Sequence, residues 1–436
     1  MATAFGSDEL EYHRLAVNLL AGQGYVIEPG TPITSRPPLY PALLALVYAL
    51  FGPYDEAMWY LQAGLKSLTV FPVYCLGKRI FPSSVGLWAA GLYAVYPSFE
   101  MVATLYRENL VTILLAGFLW ALTVGIQDRR PGAFLAAGAL AGCLTLANTI
   151  FLFLPPALCL LGFFDRRIRP QGTRLVGMML IALLVYLPWQ VRNTLLVEAS
   201  DEERAFQHLV LMFGHYPVFA GTFWWTLTDM RQLEVEREEA RTLVRRLDES
   251  RPGMPLTERI ADDRRALLGL ILARPFAYLK FVINRDLIFL VSPPPGTTMA
   301  RRIHPVLPWL AFGANLLFVG GAVLCLLRAY RADASSYGVV GTLAYLLVVY
   351  GLLHSIRRYG YVMAPIWCLY GAAALEVVQA QVAGWRRARP AAAGRPGRGL
   401  ARASAGLGGL MEISRGAMLE WRSVGCAHAG GAGSQG

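Results

Sequence analysis

Within its first forty residues the chain sets three carboxylates, Asp8, Glu9 and Glu11, beside Tyr12, and places Arg36 directly before Pro37 and Pro38. A carboxylate can take the proton from an attacking hydroxyl, best when partial desolvation raises its pKa toward the working pH. A guanidinium pairs with phosphate through two parallel hydrogen bonds, and the prolines hold the Arg36 backbone extended. Plainer roles also fit: an acidic helix start stabilised by the helix dipole and a headgroup-anchoring Arg. Further ionisable groups stand at the ends of apolar runs. They are Glu108 in Tyr106-Arg107-Glu108-Asn109, Arg192 after Trp189, and His354, Arg357 and Arg358 ahead of Tyr359. Singly, each is an ordinary interfacial anchor or cap. Collected at one mouth of a helix bundle, they form a site for an anionic, lipid-borne ligand.

The elements that must position these groups are membrane helices. Of 436 residues, 55% are apolar and 16% charged, whereas about a quarter of residues are charged in a soluble domain; mean hydropathy is +0.43. The fold class expected is all-α, a polytopic membrane bundle with juxtamembrane helices on the outer face. The net charge of +11 comes from Arg in short loops between apolar runs, as cytoplasmic loops require, which argues against nucleic acid as a partner. Six cysteines and six histidines show no CxxC, HxxxH or HExxH spacing, so neither a disulfide frame nor a structural metal is supported. A divalent cation stays compatible, though nothing in the spacing requires one.

Residues 38–52 are apolar but too short to span comfortably, and read as an interfacial helix. Spans are expected near 58–77, 83–97, 107–126, 132–147, 149–164, 174–190, 306–328, 336–353 and 360–380. If they alternate, Lys78-Arg79, Arg129-Arg130, Arg166-Arg167-Arg169-Arg174, Arg328-Arg331 and Arg386-Arg387-Arg389 all fall on one side, the cytoplasm. The expected organisation is an outer-face first loop at 1–57, a six-span module at 58–190, an outer-face region at 191–305, a three-span module at 306–380 and a disordered basic tail at 381–436. Alternation places residues 1–57 outside with no apolar segment before them, so a leading span encoded upstream of Met1 is expected. Residues 229–265 alternate acids and bases like a solvated helix face. Residues 267–292 read as a helix at the outer membrane face, broken near Pro275, with Lys280 and Arg285 on polar positions.

The ordered motifs DELEYHRLAVNLLAGQGY, SRPPLYPALLALVYALFG, YRENL, PWQVRN and RRYGYVMAPI resemble the GT-C glycosyltransferases of the aminoarabinose-transferase and protein O-mannosyltransferase type, near the lipopolysaccharide-core branch. The resemblance runs from residue 8 to about 380. It implies a glycosyltransferase of the bacterial plasma (inner) membrane, active outside the cytoplasm, that moves a sugar from a polyprenyl-phosphate donor to a lipid, glycan or protein acceptor. It assigns Asp8 as the essential first-loop acid, with Glu9 its neighbour. It makes Arg36 the basic residue before the double proline, where aminoarabinose-type relatives carry Lys. Tyr12, Glu108, Arg192, Arg358 and Tyr359 are the further substrate-binding positions. The alternatives are a non-enzymatic transporter or flippase of lipid-linked sugars, which would carry charged residues mid-span and paired repeats, and an inactive truncated homologue.

Overall fold

The computed structural model describes residues 7–28, 30–196, 249–291, 307–332, 334–353 and 357–388, with isolated positions between 215 and 246. His354, most of 229–248 and the tail beyond 388 lie outside the described residues.

The chain begins with α1 (Ser7–Leu20), whose first turn carries Asp8 and Glu9, where carboxylates favour the exposed amides of the helix start. Gly22, Gly24 and Gly30 adopt positive φ and turn the chain through a small hairpin, Val26–Glu28 against Thr31–Pro32. Asn18 holds that hairpin against α1 by donating to the carbonyls of Val26 and Ile27, at 2.7 and 3.1 Å. The chain then enters α2 (Leu39–Phe51). Tyr40, Leu44 and Tyr48 bury one face of α2, while Leu46, Leu50 and Phe51 stay exposed on the other. The helix is 13 residues long, with one packed face and one free apolar face.

The bundle continues through α3 (Asp55–Ile80), α4 (Ser83–Ala94), a single turn α5 (Phe99–Val102), α6 (Glu108–Asp128), α7 (Pro131–Ala147), α8 (Leu154–Phe164) and α9 (Gly172–Leu196). After the largely undescribed stretch come α10 (Leu256–Ala273), α11 (Pro275–Val291), α12 (Leu307–Ala332), α13 (Tyr337–Leu352), the turn α14 (Arg357–Gly360) and α15 (Ala364–Ala388). Among the described residues five stretches are long and apolar enough to cross a bilayer, and up to six if α10 and α11, bent by 103°, form one broken span. This is a multi-pass membrane fold. The other expected spans fall short for local reasons. The α3 helix has 26 residues but carries Lys66 and charges at both ends, and α4 has 12, about 18 Å at 1.5 Å per residue. The α7 helix has 17, and Thr149–Phe164 is interrupted where a 3-10 turn meets α8.

Burial separates centre from periphery. Two thirds or more of the apolar windows of α6, α13 and α15 are buried, against 28% for α9 and 22% for α12. The α9 helix still docks closely on α7, because Gly138 and Gly142 leave no room for a side chain. A Cβ at Gly138 would sit 2.5 Å from the Met178 carbonyl, and one at Gly142 2.5 Å from Val185 Cβ. This is the small-xxx-small packing common between membrane helices.

The two ends of the bundle are chemically distinct. At one end Arg79 pairs with Asp128 at 2.9 Å, Gln127 bonds Ser335 Oγ at 2.9 Å, and Arg167 donates to the Tyr330 carbonyl at 2.6 Å. The loops after α3, α6, α8 and α12 therefore meet at one end of the bundle. The other end gathers α1, the Arg36 loop and the starts of α6 and α15. Near it, Arg285 departs from its expected polar position: it is 1% exposed and donates to the carbonyls of Gly351 and Leu353 at 3.1 and 2.7 Å. The last carbonyls of α13 lack partners within their own helix, and a cation there satisfies them and opposes the negative helix end. Lys280 stays exposed.

Candidate active site at the bundle mouth

Asp8 and Glu11 lie three residues apart on one face of α1, a spacing that places side chains side by side. Both reach Arg36, whose Nη2 is 2.8 Å from Asp8 Oδ1 and whose Nε is 2.6 Å from Glu11 Oε2. The Arg36 backbone is held by Tyr25, whose hydroxyl donates to the carbonyls of Arg36 and Pro37 at 2.9 and 3.1 Å. Pro37 and Pro38 bring no amide hydrogen to compete. Tyr12, buried beneath, places its ring 5.5 Å from the Arg36 guanidinium and meets Tyr40 edge to face.

From the far end of the sequence, Arg358 completes the cluster. Its Nη2 bonds Asp8 Oδ2, and its Nε lies 3.3 Å from Glu108 Oε1. Its guanidinium stacks over Tyr106 at 4.2 Å and faces Tyr359 at 5.5 Å; Tyr359 in turn stacks on Tyr350. The cluster therefore runs Glu11–Arg36–Asp8–Arg358–Glu108, joining residues up to 350 positions apart. Glu108 opens α6 at 4% exposure, and its Oε2 has no hydrogen-bond partner among the described residues.

The remaining expected residues divide. Glu9 is buried and accepts the Leu105 amide at 2.9 Å, fixing the loop that carries Tyr106 and Arg107. Arg192 donates to the Ile33 carbonyl at 2.8 Å and packs over Tyr25 and Trp189, which ties it to the segment leading into Arg36. Both side chains thus hold backbone beside the cluster. Of Arg357 only the backbone is described. Among the described residues no three His, Cys, Asp or Glu side chains converge to hold a metal; Asp8 and Glu108 are bridged by Arg358 instead.

Two features escaped the sequence reading. Gln62, fully buried on α3, places its amide nitrogen 2.8 Å from Tyr40 Oη, 3.0 Å from the Thr104 carbonyl and 2.8 Å from the Tyr106 carbonyl. Its oxygen accepts from Asn109, which Tyr361 bonds at 2.7 Å. A polar residue inside an apolar run was the available signal. The second is Arg107, noticed in the sequence only as the neighbour of Glu108. It is half-buried and lies in the electrostatic reach of Tyr12, Glu108, Tyr359 and Arg36. Its side chain makes no ion pair or hydrogen bond among the described residues. The Glu108 carboxylate acts on this guanidinium through space, with no direct bond between them among the described residues.

Electrostatics reverses one expectation. Burial by itself raises the Asp8 carboxyl, but the charges and hydrogen bonds of Arg358 and Arg36 outweigh it and bring the pKa down to about 2. A depressed carboxylate stabilises the fold above its unfolded value near 3.8 and loses that contribution as pH falls through the folded value. The shift corresponds to about 2 kcal/mol at 1.36 kcal/mol per unit. Thermal unfolding in detergent should show wild type above Asp8→Asn at pH 5, with the gap closing toward pH 2.

Residues 35–191 match the family model described as dolichyl-phosphate-mannose-protein mannosyltransferase. Curated protein sequences give no match. Among solved structures, the chain is similar to the apo oligosaccharyltransferase of Archaeoglobus fulgidus, with TM-score 0.50 and 18% identity over 91% of this chain and 49% of that one. A looser similarity links it to ArnT from Cupriavidus metallidurans bound to undecaprenyl phosphate, with TM-score 0.39 and 16% identity over 89% of this chain and 77% of that one. The chain spans about half the length of the archaeal protein, and what is shared at this identity is the fold. The family match covers a little over a third of the chain, and the fold similarity to the archaeal protein extends over most of it.

Proposed function

We propose that this chain is a membrane glycosyltransferase. It transfers a sugar from a polyprenyl-phosphate carrier to an acceptor hydroxyl at the non-cytoplasmic face of a bacterial inner membrane. One observation carries the reading: Asp8, Arg36, Glu108 and Arg358, contributed by four separate elements, meet in one ion-pair cluster at the bundle end opposite the Arg-rich loops. The family model matched by residues 35–191 describes chemistry of the same kind, with a sugar carried on a polyprenyl phosphate.

The reaction forms a bond from the acceptor oxygen to the anomeric carbon and breaks the bond from that carbon to phosphate oxygen, which keeps the electron pair. The hydroxyl proton goes to a carboxylate. In the resting cluster Asp8 is a weak base, because both of its oxygens accept from arginines. The donor phosphate competes for those guanidiniums. It docks first on Arg107 and then draws Arg36 and Arg358 toward itself, stabilising the departing charge. Asp8, still enclosed but stripped of its cations, then rises in pKa through desolvation. Donor binding thereby prepares the base.

The test is sugar transfer by the purified full chain in lipid nanodiscs, using polyprenyl-phosphate sugars as donors. Turnover is expected. Binding of every donor without release of polyprenyl phosphate, or movement of donor across the bilayer without transfer, would replace this reading with a transporter. Arg107→Ala should raise the donor KM by roughly 10- to 100-fold, as expected for a lost charged hydrogen bond, with a much smaller change in kcat. An unchanged KM removes Arg107 from phosphate docking.

A further inference from the structure

At the opposite, Arg-rich end of the bundle a cavity of about 530 Å³ opens between the end of α8 and the start of α13. Its inner walls are apolar, from Leu161 and Phe164 on α8 and Val340, Gly341 and Ala344 on α13. Its lip is polar, formed by Asp165, Arg166, Arg167 and Tyr330. An apolar recess with a charged rim at the Arg-rich end of the bundle fits an amphiphile, with its chain inside and its headgroup at the rim.

The rim sets the sign of that headgroup. Asp165 is occupied: Arg167 Nε and Nη2 reach its two oxygens at 3.0 and 2.8 Å, and Tyr330 Oη donates to it at 2.8 Å. Arg167 also donates to the Tyr330 carbonyl at 2.6 Å and stacks on its ring. Arg166 is exposed and makes no ion pair among the described residues. Asp165 and Arg167 cancel, so the lip carries one net positive charge, with Arg169, Arg174, Arg328 and Arg331 nearby in sequence. We infer that this recess binds an anionic phospholipid of the cytoplasmic leaflet, its phosphate on Arg166 and its acyl chain along α8 and α13. Anionic lipid is concentrated in that leaflet and is attracted by such basic rims.

The position gives the lipid a structural task. The recess lies on the seam between the helices before the long outer region and those after it. Direct polar links there come from Arg167 and Tyr330, and from Tyr337, whose hydroxyl bonds the Leu158 carbonyl. A lipid lodged between α8 and α13 bridges the same seam, and a ligand bound to the folded state alone raises the unfolding midpoint.

The test uses the full chain in neutral detergent, titrated with phosphatidylglycerol, phosphatidylcholine or inorganic phosphate while thermal unfolding is followed. Phosphatidylglycerol should raise the midpoint by several degrees, and the other two should not. Arg166→Gln and Ala344→Trp, which remove the cation and fill the apolar half, should each abolish at least half of that shift. Arg129→Gln, a basic residue of the same end outside the recess, should keep it. Equal shifts in all four chains, or an equal shift from phosphatidylcholine, would reduce the effect to general lipid solvation. A full shift from inorganic phosphate would reduce the site to a simple anion contact. Because Arg166 is exposed and unpacked, its variant tests the idea even if Ala344→Trp does not fold. None of these outcomes depends on sugar transfer.

Discussion

Asp8→Asn should lower kcat for sugar transfer by about 10²–10⁴-fold, the usual contribution of a general base, while leaving donor affinity unchanged or tighter. The substitution keeps the shape of the side chain and removes its charge. Arg36 retains Glu11 and Arg358 retains Glu108, so both cations stay in place with one competitor fewer. Donor phosphate then meets freer guanidiniums, and its Kd should hold or fall. A purely structural role predicts the reverse: loosening of α1 would weaken donor binding and turnover together. Equilibrium binding of a non-transferable donor analogue, read beside kcat, separates the two. Retained turnover would take Asp8 out of the base role and move attention to Glu108, the other carboxylate on Arg358.

Much of the site was legible because its parts are local motifs. Asp8, Glu11 and Tyr12 share a helix face by spacing alone, and the Pro pair marks Arg36 as an extended, projecting side chain. The basic loops supplied an expected sidedness for the helices. Pairing across the fold was not legible. That Arg358 reaches Asp8 depends on how α1 and α14 come together, and no local pattern encodes it. The direction of the Asp8 shift was missed for the same reason. Sequence shows an acid near a desolvated face, but the sign follows from two arginines whose closeness is tertiary. Arg285 was misread because helical periodicity cannot distinguish water from the carbonyl end of another helix, since both satisfy a guanidinium. Length and composition alone pass five of the nine expected stretches, α3 carrying Lys66 and α4 having only 12 residues.

Arg358→Met should cost about 3–5 kcal/mol of stability, the usual penalty for leaving a buried charge without its partner, and should abolish transfer. Glu108 is the charge left behind. Its side chain is 5% exposed, Oε2 has no hydrogen bond among the described residues, and Arg358 is its ion-pair partner through Oε1. Adding Glu108→Gln to Arg358→Met removes the stranded charge. The double variant should therefore recover most of the lost thermal stability, although each change alone is harmful. Activity should not return, because the phosphate has lost a guanidinium and Asp8 has lost one of its two cations. A double-mutant cycle on unfolding midpoints, run beside transfer assays, measures the coupling directly. Additive losses would mean that Glu108 and Arg358 do not share a charge balance, and the cluster would then divide into an Asp8–Arg36 pair and an unrelated helix cap. Recovery of stability without activity would instead assign the same arginine two separable tasks: neutralising the closed mouth at rest, and meeting phosphate when the donor arrives.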